Sequence, residues 1–356
     1  MRPSAIWREA WRDLVSGTVR AGLGFTCLVA VVAAFAAWET MAVRDAVGRA
    51  LDYRASGAST VALTASGRID AATCHRLAEL PGVEAAGAIR RAETDVVPAA
   101  LPLGSVPTYD VTPGFGGLLG AEMAGEAGVL LSAEAAALSS GRGMTLMTTA
   151  GTVDVAGTYS WPRDGRRPGY GYAALQLNPA SGSYDECWVH AWPMPGDLAG
   201  IIQTTLTPAR DADDEPAVLS QLNTTLGARF TGGEAFDARP TRHAPVVASA
   251  LGAAIGYAAV RVRRVQLAGV LHDGLARAAL LVIVALETCA WVPPATVMVA
   301  AAAIIAAGTG PPEAAASTLV VSARVAAPAA VAALLAAVTA ALRARERHLA
   351  RYVKDR

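Results

Sequence analysis

The side chains of this sequence that could do chemistry are dispersed, and none stands at a spacing typical of a catalytic motif. The histidines His75, His190 and His243 have no Ser or Cys partner at a recognisable motif spacing, so the sequence predicts no hydrolytic triad. It contains no GxxxxGK[ST] phosphate loop, and no dinucleotide fingerprint follows a predicted strand. We therefore expect a non-catalytic chain with no catalytic residue and no bound cofactor.

A run of carboxylates is the best candidate for a metal site. The run comprises Asp211, Asp213, Asp214 and Glu215. It could bind a divalent cation, but acidic residues that precede a helix usually complement the N-terminal dipole of that helix and stay solvated. We interpret the run as the start of a helix at about 215 to 226, and we predict no metal site.

The four cysteines fall into two pairs and show none of the close spacings of a zinc or redox site. Cys27 and Cys289 lie in apolar runs, where a thiol is usually a small hydrophobic residue. Cys74 and Cys187 lie in the middle region, and a disulfide between them is chemically allowed if that region is outside the cytoplasm. A disulfide and two unpaired thiols both fit the sequence.

The elements that hold these side chains are unusually apolar. Hydrophobic residues make up 53% of the 356 residues and charged residues only 17%, with charges sparse in three long stretches. An uncharged run of about 20 residues can cross a hydrocarbon core of ~30 Å. We predict four transmembrane helices, at 21–41, 244–261, 277–308 and 317–342. The pair Pro293 and Pro294 is expected to kink or break the third span.

Charge predicts the orientation of these spans. The chain has 30 basic and 30 acidic residues, so no net charge favours nucleic acid as a partner. Basic residues accumulate in three short segments, 1–20, 262–276 and 343–356, and such segments are usually cytoplasmic. Four spans place all three on one side. We therefore predict a multi-pass protein of the cell membrane with both termini in the cytoplasm and with 42–243 and 309–316 outside.

Two further regions have a pattern of their own. Residues 1–20 place Trp7 and Trp11 on the apolar face of an amphipathic helix, which predicts a helix at the membrane interface. Residues 42–243 alternate short β-like runs with amphipathic stretches, as in an α+β domain, with a hairpin turning near Ala150. Aromatic residues of this domain are expected to fill its core and not to line a ligand site. They are Trp161, Tyr170, Tyr172, Tyr184, Trp188 and Trp192.

The connection between the second and third spans carries a family resemblance. The segment RVRRVQLAGVLHDGLARAALLVIVALE, Arg261 to Glu287, resembles the corresponding segment of FtsX-like (MacB-type) permeases of ABC transporters. The matching residues are Arg263, Arg264, Leu267, Ala268, Gly274, Arg277 and Glu287. Gln266 departs from the pattern, because the family usually has Glu there. The stretches LPGVEAAGAI, YDVTPGF and GVLLSAEAAALSS resemble the periplasmic core domain of the same family.

The resemblance implies four transmembrane α-helices, with a large MacB-like α+β extracytoplasmic domain between the first and second. It implies a permease subunit that pairs with a second permease chain, in a homodimer or a heterodimer. A separate ABC ATP-binding subunit would bind the ATP and dock on the short cytoplasmic helix, driving export or mechanotransmission. The docking residues it implies are Arg263, Arg264, Gln266, Leu267, Val270, Leu271 and Gly274.

Several alternatives stay open. The arginines of the connection could instead set the topology and contact membrane lipid. Glu287 is an intramembrane carboxylate almost three turns from Arg277, so we expect it to make a polar contact with another span. The alternative function is a membrane-anchored sensor or ligand-binding protein without ATP-driven transport. The substrate is not predictable from the sequence.

Overall fold

The computed structural model describes residues 3–137, 145–209 and 215–345. Its helices are α1 (Pro3–Val15), α2 (Ala21–Ala55), α3 (Ala71–Arg76), α4 (Phe115–Leu119), α5 (Ala133–Ala136), α6 (Leu198–Gln203), α7 (Gly232–Asp237), α8 (Ala244–Arg261), α9 (Arg264–His272), α10 (Arg277–Cys289), α11 (Val292–Thr309) and α12 (Pro312–Arg343). Its strands are β1 (Thr60–Asp70), β2 (Val83–Arg91), β3 (Thr108–Val111), β4 (Glu122–Met123), β5 (Val129–Ser132), β6 (Thr145–Thr148), β7 (Gly151–Tyr159), β8 (Ala174–Leu177), β9 (Ser183–Ala191) and β10 (Val218–Gln221). These elements form two compact units, one from Ala50 to Phe230 and one from the residues on either side of it.

The flanking unit is helical, and four of its helical stretches are long and apolar enough to cross a membrane. They are Ala21–Ala55, Pro240–Arg261, Arg277–Thr309 and Pro312–Arg343. This confirms the predicted layout of one N-terminal and three C-terminal spans around a domain that contains a sheet. The first helix continues well past the predicted span end at residue 41. Its 35 residues measure roughly 50 Å, which exceeds a ~30 Å hydrocarbon core.

Prolines shape two of the spans differently. The third stretch breaks between α10 and α11, as the proline pair predicted, because Pro293 and Pro294 occupy the first turn of α11. A missing backbone N–H costs little there, since that N–H would have no partner within the helix. Pro328 lies inside α12, and that helix is nevertheless continuous over 32 residues.

Helices α8 and α12 pack through small residues. The buried face of α8 includes Ala248, Gly252 and Gly256, spaced four residues apart, and it lies against alanines of α12. A Cβ atom on Gly252 or Gly256 would collide with the backbone carbonyl of Ala329 or Ala333, respectively. Small residues at this spacing allow close helix contact in membranes, where packing and not water exclusion holds helices together.

The second unit is a mixed sheet with short helices. The strand order is β10-β1-β9-β2-β3-β8-β5-β7-β4, and β6 pairs with β7. The β6–β7 pair is the hairpin predicted near Ala150. The pairs β3–β8 and β5–β7 are parallel and the other pairs are antiparallel, so the domain has the α+β character expected from the sequence.

The helix predicted at about 215 to 226 is wrong. Within this range Val218–Gln221 forms β10, which pairs antiparallel with Val61–Thr64 of β1. The backbone groups at the edge of β1 supply partners for this segment, and tertiary pairing of this kind overrides local propensity. Of the acidic run, Asp211, Asp213 and Asp214 lie outside the described residues. Within the described ranges, no cluster of His, Cys, Asp or Glu could hold a metal ion.

The core of this unit settles the two questions that the sequence left about its side chains. Cys74 of α3 and Cys187 of β9 form a disulfide, with Cα atoms 5.8 Å apart, whereas Cys27 and Cys289 are free. The aromatic residues fill the core as predicted. Trp188 and Tyr184 are fully buried, and the Trp188 ring packs 5.0 Å from that of Phe115. The disulfide joins a helix to a central strand over 113 residues of sequence.

Candidate functional site

The connection between the second and third spans folds into a short, well-terminated helix. Helix α9 follows α8 after a turn at Val262 and Arg263 and ends at Gly274, whose φ of +94° favours glycine. The N–H of Gly274 donates to the carbonyl of Leu271, and the N–H of Leu275 donates to that of Val270. This pair of hydrogen bonds is the Schellman ending of a helix. It fixes the direction in which the chain enters α10.

Helix α9 has one buried and one exposed side, and the predicted docking residues divide between them. Leu267 and Leu271 point inward and pack among Val260, Leu280 and Val284. The side chains of Gln266 and Val270 face outward, and Gly274 is exposed at the helix end. Arg264 is half-buried, and Arg263 is buried. The surface available to a partner is therefore narrower than the predicted set.

The buried residue Arg263 pairs with Glu287 of α10. Their side chains are 6% and 1% exposed, and the Arg263 Nη2 donates to the Glu287 Oε2. We expected Glu287 to contact another span, but its partner lies two residues beyond the end of α8, in the connection itself. The two residues are 24 positions apart, too far for any local motif, although an arginine at the end of one span and a carboxylate inside the next could have indicated the pair.

Helix α1 adds a second carboxylate to this pair. It packs against α10, and the Asp13 side chain lies beside Glu287. The Arg263 Nε and the Glu287 Oε1 have no hydrogen-bond partner among the described residues. One guanidinium thus neutralises a buried carboxylate close to a second one, and α1, α9 and α10 meet at this point.

Basic residues from two other spans converge on Tyr257 of α8. The Tyr257 hydroxyl lies 3.4 Å from a guanidinium nitrogen of Arg261 and 3.5 Å from one of Arg343, at the C-terminal ends of α8 and α12. Both guanidinium groups also lie over its ring. Two of the three predicted basic segments therefore begin at the same end of the helical unit.

The other end of α8 is tied to α2. Arg239 precedes α8, and its Nη2 donates to the buried Oε2 of Glu39 in α2 over 2.8 Å. Arg44 of α2 donates to the carbonyl of Ala306 in the last turn of α11. A cation at a helix C-terminus satisfies carbonyls that have no partner within the helix. These contacts link three of the four spans near the point where the chain enters and leaves the sheet domain.

The sheet domain brings together a histidine, a carboxylate and hydroxyls that the sequence left apart. His190 Nδ1 lies 3.0 Å from Thr60 Oγ1 and 3.3 Å from Ser59 Oγ, and His190 Nε2 lies 3.1 Å from Glu84 Oε2. Arg54 donates to both oxygens of Glu84. Ser59 and Thr60 are at most 1% exposed, so neither hydroxyl can reach a substrate. The arrangement is structural and not a hydrolytic triad.

This cluster predicts a loss of stability in mild acid. Burial lowers the pKa of His190 below its ordinary 6.5, and attraction by Glu84 offsets this only in part. Because the folded protein favours the neutral imidazole, His190 contributes stability above pH 6.5 that is lost as the pH falls towards its lowered pKa. We expect the unfolding temperature of the full-length protein to fall between pH 7.5 and 6, and to fall less for His190→Gln. A rise in stability of the unmodified protein over this range, relative to His190→Gln, would mean that the charged imidazole is favoured instead.

The chain has distant structural relatives only. No known protein family and no curated protein matches it. The periplasmic region of MacB from Actinobacillus actinomycetemcomitans is 8% identical, with a TM-score of 0.35 over 48% of this chain and 91% of its own. A domain ascribed to a permease protein from Porphyromonas gingivalis is 13% identical, with a TM-score of 0.32 over 52% of this chain and 99% of its own.

Both structures are of the kind that the resemblance of the sequence names. At TM-scores this low, the similarity carries no argument about function. The geometry of the α9 connection and the pattern of its residues have to carry one instead.

Proposed function

We propose that the chain is the permease subunit of an ABC-type transporter, in which a separate ATP-binding subunit docks on α9. The observation that carries the proposal is the construction of α9. Its inner face is buried, its start is tied to α10 through Arg263 and Glu287, and its outer face presents Gln266 and Val270. A short helix held in this way can receive a push from outside and pass it to two spans.

The remaining contacts support a mechanical role for the spans. Movement of α9 acts on α8 and α10, between which it lies in the chain. The Glu39–Arg239 pair joins the start of α8 to α2, and these two helices lead into and out of the sheet domain. Rigid elements joined by buried polar contacts transmit displacement because packed interfaces do not deform continuously. We infer that ATP-driven movement of α9 shifts the outer domain, in export or in mechanotransmission, within a pair of permease chains.

The proposal places the termini and α9 in the cytoplasm and the sheet domain outside. The buried disulfide between Cys74 and Cys187 supports this orientation, because disulfides persist in oxidising compartments and are rare in the cytosol. The convergence of Arg261 and Arg343 on Tyr257 supports it as well, since short basic segments favour the cytoplasmic side. A membrane-impermeant protease added to intact cells is expected to cut within the sheet domain and to leave α9 uncut.

A single substitution on the outer face of α9 tests the docking. Val270→Asp places a charge on an exposed apolar side chain without changing the buried face, and loss of one apolar contact at an interface centre can cost more than about 1 kcal/mol. We expect co-purification with the co-expressed ATP-binding subunit encoded beside this chain to fall about tenfold or more, because desolvating the new charge adds to that loss. The measurement is the ratio of the two subunits after affinity purification, together with the ATPase activity of the complex.

The matched control is Val218→Asp, the same change at an exposed valine of the sheet domain. It should leave the ratio unchanged. Retained binding in Val270→Asp would remove α9 as the docking element. If no ATP-binding protein associates with the unmodified chain at all, the sensor or ligand-binding alternative becomes the better one.

A further inference from the structure

A cavity opens between the start of α2 and the end of α8. Its volume is about 190 Å³. Its lining is apolar except for Thr18, Arg20 and Arg263, and it contains no acidic residue; the apolar members are Val19, Leu23, Gly24, Cys27, Ile255, Ala258, Ala259 and Val262. A slot of this composition beside a membrane helix suits a hydrocarbon chain, and its basic rim suits a negative charge.

Three features of the rim are arranged for an anion. The guanidinium of Arg263 is buried and lines the cavity, and its Nε has no hydrogen-bond partner among the described residues although its Nη2 is held by Glu287. Arg20 lies at the rim with a φ of +52°, which a residue with a side chain rarely adopts. The first turn of α2, whose backbone N–H groups have no partner within the helix, also borders the cavity.

We propose that this cavity binds an anionic phospholipid. The phosphate of the headgroup accepts hydrogen bonds from Arg263 Nε and from the Arg20 guanidinium at the N-terminus of α2. One acyl chain lies along the apolar wall that contains Cys27 and Ile255. The lipid thereby satisfies a buried donor that the protein leaves unpaired, and such a donor otherwise carries a desolvation cost.

The apolar wall distinguishes a lipid from a free anion. Phosphate or a soluble phosphate ester could occupy the basic rim, but it would leave the slot between α2 and α8 unfilled in a region that faces hydrocarbon. Basic sites between membrane helices are suited to acidic headgroups for the same reason. The position of Arg263 also connects the lipid to the α9 connection, since the same guanidinium holds Glu287.

The free cysteines provide a direct measurement. Cys27 lies in the wall of the cavity, and Cys289 is exposed at the end of α10 and does not line it. In nanodiscs holding one copy of the full-length protein, N-ethylmaleimide labelling of both thiols is followed by mass spectrometry as phosphatidylglycerol replaces phosphatidylcholine. We expect the labelling rate of Cys27 to fall as the phosphatidylglycerol fraction rises, while that of Cys289 stays constant.

Two arginine variants make the test specific. Arg20→Gln should raise the phosphatidylglycerol fraction that halves Cys27 labelling about fivefold, as the loss of ~1 kcal/mol per basic contact predicts. Arg261→Gln removes an arginine at the same end of α8 that does not line the cavity, and it should leave that fraction unchanged. Constant labelling of Cys289 reports that each variant is folded.

Four results would overturn the proposal. Equal protection of Cys27 in pure phosphatidylcholine would show that any lipid fills the slot. Equal protection by glycerol phosphate in phosphatidylcholine nanodiscs would show a free-anion site. Protection that appears only when two copies share a nanodisc would show that a second chain covers the cavity. An equal effect of Arg20→Gln and Arg261→Gln would show attraction by overall charge and no specific site.

Discussion

Glu287→Ala is expected to destabilise the protein by about 3–5 kcal/mol, because it leaves the buried Arg263 guanidinium without its counter-charge. Arg263 has no second carboxylate at hydrogen-bond distance that the structure records, and Asp13 lies on the far partner of the pair. The loss should appear as a lower unfolding temperature in detergent and a lower yield of monodisperse protein. Docking of the ATP-binding subunit should also weaken, although the outer face of α9 is unchanged.

The matched comparison is the double variant Arg263→Met with Glu287→Met. Replacing a buried ion pair by apolar residues of similar volume is often neutral, so the double variant should recover most of the stability that Glu287→Ala loses. Glu313→Ala, at the exposed start of α12, serves as the control for loss of a carboxylate. If the double variant is as unstable as the single one, packing around Glu287 and not its charge is what matters.

Gly256→Val is expected to cost about 3 kcal/mol or more, at or beyond the upper end of the usual cost of overpacking. The obstacle is the backbone carbonyl of Ala333 in α12, which cannot rotate away as the end of a side chain could. Helices α8 and α12 would have to separate along the face that holds them. The unfolding temperature in detergent should drop, and α9, which follows α8 directly, should lose its fixed position.

The control is Gly308→Val near the end of α11, where an added side chain meets nothing within 4 Å. This change should have little effect or be slightly stabilising, because glycine is a poor helix former. Equal effects at the two positions would mean that helix propensity decides the outcome. A stable Gly256→Val protein would show that α8 and α12 can shift apart without loss of structure.

The sequence by itself determined the features that depend on hydropathy, charge and local spacing. The four spans, the break at Pro293 and Pro294 and the hairpin near Ala150 follow from uncharged runs, a missing backbone donor and a turn between alternating strands. The short helix that ends at Gly274 also follows from adjacent residues. Each is settled within one or two turns or strands of chain, and such information is contained in neighbouring residues.

Only the tertiary structure decided which distant residues meet. The sequence left the pairing of Cys74 and Cys187 open, assigned Arg263 to a partner surface and predicted a helix where β10 forms. Each outcome depends on two segments brought together by folding: α3 with β9, the α9 connection with α10, and β10 with β1. The free energy of such contacts comes from burial and pairing across the fold, which neighbouring residues do not encode. The docking face of α9 was therefore predictable as a segment but not as a surface.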